Sequence, residues 1–432
     1  MTNQELLQLL RSEVIPAIGC TEPIAVALCT ARAKELLGAE PDSIMVHLSK
    51  NVYKNALAVG IPNTGMTGLP IAIALGATVG KSEYMLEVLR YATPEAVAYA
   101  KAYMLRVPAT IKVDYEAPSL LYIHVEVSKE GQTAQATIMN EHTHFVTSPI
   151  SNSEASNTQP SLKESSPLKG ELEGVNLRRV YDFAASVDTT ELTFLLAGAE
   201  MNTAAAETSF ADQYGHGLGR LLRANTLTAT PEMEKLFGNT LFTKIISYTC
   251  GACDARMSGA MVQVMSNSGS GNQGISCSIP VYLYAKENNC TEEQTLRALA
   301  LSNLTVIYIK QSLGRLSALC GCVVAATGSA AGITYLMGGT YDEITYAIKN
   351  MIANISGMIC DGAKPGCALK VTSGVATAIF SAYLAMQHSY ADSTEGIVED
   401  DIDRTIRNLT RIGHDGMKVT DDLILDIMTH KQ

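Results

Sequence analysis

Cys360 and Cys367 stand seven positions apart in "GMICDGAKPGCALK", and Cys320 and Cys322 lie forty residues upstream in "LSALCGC". Thiols beside glycine-rich turns form a soft donor set, and glycine lets backbone N–H groups approach cluster sulfurs. The C-x-C and C-x6-C spacings are not the paired C-x-x-C knuckles of a zinc ribbon. They suit a soft metal or an iron–sulfur cluster. The competing reading is four thiols packed as small hydrophobes.

Other stretches could bind or move protons. "MSNSGSGNQGI" (265–275) precedes an apolar helix and offers hydroxyls, amides and backbone N–H groups to a carboxylate or phosphate. Its candidate binding residues are Ser266, Asn267, Ser268 and Asn272. It lacks the Gly-Lys-Ser/Thr of a Walker loop and the βαβ context of a dinucleotide fingerprint. In "SKNVYKNALAVGIPNTGMTGLP" (49–70), Lys50, Asn51, Lys54 and Asn55 cluster near a strand end. They could hold an anionic group, act as a base, or form a solvated, capped loop. In "GCTEP" (19–23) Cys20 sits at a helix start whose dipole favours a thiolate, and Glu22 beside it opposes that shift. "EHTHF" (141–145) sets His142 and His144 on alternate residues, which on a strand share one face. Asp254 and Arg256 in "CGACDARMSG" could form an ion pair.

The elements that must position these residues follow from periodicity. Residues 4–15 have helical spacing, "PAIGCTEP" breaks it, and 24–38 resume a helix with Thr21 as cap and Pro23 in its first turn. Residues 43–53 read as a strand running into a loop, and 82–105 as two short helices broken near Thr93–Pro94. Residues 109–149 turn β-branched and aromatic, with "KEGQ" as a hairpin turn, which predicts a small antiparallel sheet. The polar, Ser- and Pro-rich stretch 151–174 reads as a mobile linker. From 175 onward the pattern is helical with Gly-rich breaks, including a helix over 255–265. The fold class is α+β. A small N-terminal α+β domain (1–150) with an antiparallel sheet joins a larger, mainly helical domain (175–432), with the site in the cleft between them. The first helix is expected to pack on the larger domain and bring "GCTEP" to the site.

Composition narrows the function classes. The 432-residue chain is 47% hydrophobic and 17% charged, with a formal charge of −11. It lacks the clustered Lys and Arg that nucleic-acid binding needs, so no nucleic-acid partner is expected. The N-terminus has early acidic residues and no basic region before an apolar core, so it does not read as a signal peptide, and a cytoplasmic protein is expected. Ten cysteines without an export signal do not form a disulfide framework. Residues 316–339 are long enough to span a bilayer but consist largely of Ala, Gly, Ser and Thr, which predicts a buried helix and no membrane association.

The ordered set "GCTEP", "NVYKNALAVGIPNTG", "MSNSGSGNQGI", "LSALCG", "GMICDGAKPGCALK" and "GMKVTDDLILDIM" resembles the L-cysteine desulfidases, relatives of the α-chain domain of bacterial iron–sulfur L-serine dehydratases. The resemblance covers nearly the whole chain apart from 151–174. It implies a [4Fe-4S] cluster held by three cysteines, with one iron open to a small amino-acid substrate. Cys360 and Cys367 match two ligands. The third falls in "ALCGC", where Cys320 matches the family spacing better and Cys322 is the alternative. The dehydratases' "CDP" reads "CDG" here, and the chain ends in "DIMTHKQ" without their terminal cysteine, which favours the desulfidase branch. Cys20 matches a desulfidase cysteine and is a candidate for the fourth cluster position or for the chemistry.

The activity implied is elimination of sulfide from L-cysteine to give pyruvate and ammonium, with Cys20 and His142 as candidate bases. Ser266, Asn267, Ser268 and Asn272 would hold the substrate, and Lys50 or Asn51 the opposite side. L-Serine deamination and a non-catalytic metal-binding regulator are the alternatives. Low charge density and the resemblance point to a homodimer.

Overall fold

A computed structural model describes residues 1–146, 175–223, 231–314 and 316–430. The expected linker, 151–174, lies outside the described residues.

Helix α1 (Asn3–Glu13) opens with a capping box, in which Thr2 Oγ1 accepts from Glu5 N and the Glu5 carboxylate accepts from Thr2 N. Its Leu6 and Leu10 are fully buried in the core of the C-terminal half, as the sequence predicts for the first helix. Strand β1 (Pro16–Ile18) follows, then α2 (Thr21–Leu37). Every residue from Thr21 to Ala31 is buried. A helix apolar all round must be enclosed, and α2 lies between the sheet and α4 (Leu69–Thr78), after β2 (Ser43–Ser49) and α3 (Lys50–Ala56).

Helix α5 (Pro94–Arg106) starts at Thr93, whose Oγ1 accepts from Ala96 N. Three strands complete the sheet: β3 (Thr110–Asp114), β4 (Tyr122–Lys129) and β5 (Gln132–Met139). Alternation in β2 and β4 sends Ile44, Val46 and Leu48 inward directly opposite Val127, Val125 and Ile123. Glu130 and Gly131 both take positive φ in the turn that joins β4 to β5, which fits the twist of the hairpin.

Four sequence readings need correction here. The sheet is mixed, with strand order β3-β2-β4-β5 and a parallel β2–β3 pair, because β2 inserts from outside 109–149. Residues 50–56 are a helix and not a loop. Thr21 is the first residue of α2; the cap is Cys20, whose side chain makes no capping bond, and both its thiol and the Thr21 hydroxyl donate to Glu22 instead. The pair His142 and His144 lies in a turn after β5, so His142 is buried and His144 exposed.

The C-terminal half contains α6 (Leu177–Ser186), α7 (Thr193–Ala211), α8 (Leu218–Arg223), α9 (Pro231–Phe237) and α10 (Leu241–Met257). Strand β6 (Gln263–Met265) comes next, then α11 (Gly271–Glu287), α12 (Glu292–Leu313), α13 (Gly321–Leu336) and α14 (Tyr341–Ile355). The chain finishes with α15 (Cys367–Met386), α16 (Ile402–Arg411) and α17 (Lys418–Thr429). The expected helix over 255–265 ends at Met257, because 263–265 pair antiparallel with β1, a long-range contact that local spacing does not carry.

Helix α13 occupies the middle, against α11, α12, α14 and α15. Its Ala325, Ala326, Ala330 and Ala331 are fully buried and allow close approach of its neighbours. Burial of Val323, Val324 and Ile333 stabilises by roughly 1.5–3 kcal/mol each. The span 316–339 therefore holds a buried core helix, Gly321–Leu336, rather than one running its whole length. Among the described residues α15 is the one helix long and apolar enough to cross a membrane; it packs on α10, α13 and α14.

Candidate functional site

A cavity open to solvent lies where the α2 start, the α11 start, the α13 start and the 357–367 loop meet. Cys20, His142, Ser268, Asn272, Cys320, Cys360 and Cys367 all line it, together with Glu22, Asn55, Arg256, Gln273, Cys322 and Lys370.

The thiols come from two helix starts and a pinned loop. Cys320 is the cap residue of α13 and Cys367 the first residue of α15. Cys320 N donates to Met358 O at 2.9 Å and Cys360 N to Ala318 O at 2.7 Å, so a short antiparallel bridge fixes the two cysteines side by side. Between Cys360 and Cys367, Gly362 has φ +87°, and a Cβ there would stand 2.6 Å from Lys54 O. Only glycine meets both demands. Asp361 pairs with Lys364 and Lys370, and Lys370 Nζ also donates to Ile359 O at 2.6 Å, which ties the loop to α15.

The thiols titrate apart. A hydrogen bond from Cys322 draws the Cys320 pKa down against its burial, with help from backbone N–H groups and Lys370. The same bond and burial push Cys322 well up. Burial, then the negative charge of neighbouring thiolates, raises Cys360 and takes Cys367 to about 11. Among the described residues no three His, Cys, Asp or Glu side chains converge on the geometry of a single metal ion.

A second group belongs to α2. The Glu22 carboxylate accepts from Cys20 Sγ at 3.2 Å, Thr21 Oγ1 at 3.0 Å and Asn55 Nδ2 at 3.1 Å. His142 Nε2 stands 4.0 Å from Glu22 Oε1. Burial and the Glu22 charge hold the Cys20 pKa well above the usual thiol value, so here desolvation outweighs the helix dipole.

The third group is the turn before α11. Asn267 and Ser270 exchange backbone bonds, and Ser268 takes φ +48°. Ser266 Oγ donates to Ile15 O at 2.7 Å, and Asn267 Nδ2 to Asn303 Oδ1 at 2.9 Å. These two side chains anchor the turn and lie outside the cavity lining, whereas Ser268 and Asn272 line it. Arg256, near the end of α10, donates from Nη1 to Asn272 Oδ1 at 3.0 Å. The expected Asp254–Arg256 pair does not form; Asp254 instead accepts from His216 N at 3.2 Å.

Lys50 and Asn51 also lie outside the lining. Lys50 pairs with Asp422, and Asn51 Nδ2 donates to Asp421 Oδ2 at 2.8 Å, both on α17. Of the stretch 49–70, Asn55 reaches the cavity. Glu22, Arg256 and Gln273 were missed as site residues in the sequence. Glu22 carried a signal, its place beside Cys20; Arg256 was masked by a plausible local partner.

Residues 83–426 match the family profile of the serine dehydratase alpha chain. The chain is 56% identical over 429 residues to a "UPF0597 protein" of Phocaeicola vulgatus, covering 99% of this chain and 98% of that one. It is 55% identical over 428 residues to one of Bacteroides fragilis, at the same coverage of 99% and 98%. A protein of that name from Porphyromonas gingivalis is 47% identical over 435 residues, covering 100% and 99%. Cys20, Glu22 and Asn55 lie in the stretch before residue 83, which those relatives also span.

Proposed function

The chain belongs to the serine dehydratase alpha chain family, and from that premise we propose that it is an iron–sulfur lyase converting L-cysteine to pyruvate, ammonium and sulfide. The observation that carries this reading is one cavity lined by Cys320, Cys360 and Cys367 together with the Cys20–Glu22–His142 group. The donor set fits a [4Fe-4S] cluster in kind: thiolates are its ligands, and the three line one cavity. Lys370 and Lys54 bring positive charge to Cys360. When bound, the cluster supplies a Lewis-acidic iron with an open position for the substrate's β-thiol, which eases departure of a poor leaving group.

The chain's own task is the Cα proton. The Glu22 carboxylate, which accepts from the Cys20 thiol and lines the cavity beside it, is the base placed to take that proton. His142, beside Glu22, is the next station for the proton. Loss of Cα–H and Cβ–S leaves aminoacrylate, which tautomerises and takes up water to give pyruvate and ammonium, with sulfide as the other product. Ser268 and Asn272 contact the substrate's polar groups. Ser266 and Asn267 keep their turn in place, and Lys50 and Asn51 hold α17.

The family match favours L-serine as a second reading, with water leaving by the same steps. Pyruvate formation from each amino acid by anaerobically reconstituted protein separates the two. No turnover of either removes both.

A further inference from the structure

We propose that Arg256 and the first turn of α11 seat the substrate's α-carboxylate, so that the cavity accepts a free amino acid and rejects its amide. The identity of the ligand rests on the lyase reading; the need for an anion at this point does not.

Arg256 is 1% exposed and lines the cavity. Its Nη1 donates to Asn272 Oδ1 at 3.0 Å, while Nε and Nη2 have no partner. No ion pair to it forms among the described residues, since Asp254 is occupied by the backbone N–H of His216. A buried guanidinium without a counter-charge is strongly disfavoured.

The surroundings sharpen the demand. A Cβ added to Gly271 would stand 2.3 Å from Arg256 Nε, so the guanidinium lies directly against the first residue of α11. That residue opens a 17-residue helix whose first-turn N–H groups and dipole are also positive. Two positive ends are thus buried side by side, an arrangement that an anion in the adjoining cavity, facing both, relieves. The two unpaired nitrogens belong to a planar fork that matches a carboxylate. Ser268 and Ser270 add hydroxyls to the same lining. Asn272 then positions Arg256, and glycine at 271 leaves room for it.

The test is calorimetric binding of L-alanine, which has no leaving group, and of L-alaninamide to anaerobically prepared full-length protein. Wild type should bind alanine at least about tenfold more tightly than the amide. Arg256→Gln should lose at least about tenfold in alanine affinity. If that variant does not fold, Asn272→Asp serves, because it supplies Arg256 with an internal carboxylate and should weaken alanine binding as much while raising the melting temperature. Alanine and alaninamide bound alike by wild type, no detectable alanine binding, or a folded variant within threefold of wild type would each overturn the proposal. Alanine bound through Arg256 without pyruvate from cysteine or serine would leave the carboxylate seat standing and remove the lyase reading. Turnover with an unchanged KM in Arg256→Gln would do the reverse.

Discussion

Cys320 and Cys360 are held side by side by two backbone bonds, Cys320 N to Met358 O at 2.9 Å and Cys360 N to Ala318 O at 2.7 Å. Forty residues of sequence separate them, yet their relative placement is fixed by main chain, before any metal is considered. A thiol site built this way should be intact in the absence of its cofactor.

Replacing Cys320, Cys360 or Cys367 by Ser should each abolish the brown colour and the bound iron after anaerobic reconstitution. Cys322→Ser should retain both, since its thiol serves Cys320 as a hydrogen-bond donor. Iron and sulfide analysis of the four variants checks this. Full iron content in Cys320→Ser would transfer the ligand role to Cys322.

Gly362→Ala puts a side chain at φ +87° and 2.6 Å from Lys54 O. A cost of about 1–3 kcal/mol is expected, with a loosened cluster loop. Urea unfolding together with iron retention reads both effects, and wild-type values in both would show that the loop tolerates a Cβ.

Glu22→Gln should leave iron content unchanged and lower kcat by roughly 100-fold or more, because the carboxylate placed to take the Cα proton is gone. A variant with wild-type kcat would take Glu22 out of the proton path.

The two ion pairs that dock α17 on α3 should differ sharply in worth. The side chain of Lys54 is 2% exposed and pairs with Asp421, whereas Lys50 and Asp422 are 29% and 56% exposed. Asp421→Asn leaves a buried ammonium unpaired and should cost about 3–5 kcal/mol. Asp422→Asn should cost at most about 1 kcal/mol. Equal unfolding midpoints for the two variants would contradict the assignment.

Alkaline stability should depend on Tyr308. Burial and its 2.7 Å hydrogen bond to Asp403 raise its pKa above the ordinary tyrosine value of roughly 10. Above that value the folded protein binds more protons than the unfolded chain. The stabilisation is complete below about pH 10 and is lost as pH rises through the folded pKa. Tyr308→Phe should flatten the fall of stability above pH 10; denaturant midpoints from pH 8 to 11 that run parallel in the two proteins would rule this out.

Much of this fold was legible locally. The alternation of β4, the Glu130–Gly131 turn and the small-residue character of α13 each predict their own structure, because the period of burial is written in neighbouring residues. Insertion of β2 beside β3 and pairing of β1 with β6 were not legible, since strand partnership depends on distant chain. The same division holds in the site. Cys320, Cys360 and Cys367 stand out by residue type and setting. Arg256 does not, because a nearby Asp254 offered a ready partner and only the folded chain shows that partner taken by His216. Lys50 and Asn51 looked like site residues by type, and the α17 carboxylates that occupy them come from about 370 residues away.

The most direct measurement is pyruvate release under strict anaerobiosis by reconstituted protein supplied with L-cysteine or L-serine, with iron and sulfide measured on the same sample. Cluster-loaded protein should form pyruvate from L-cysteine with equimolar sulfide, and lose that activity as air bleaches its colour. Cluster-loaded protein that releases no pyruvate from either amino acid would contradict the proposed function.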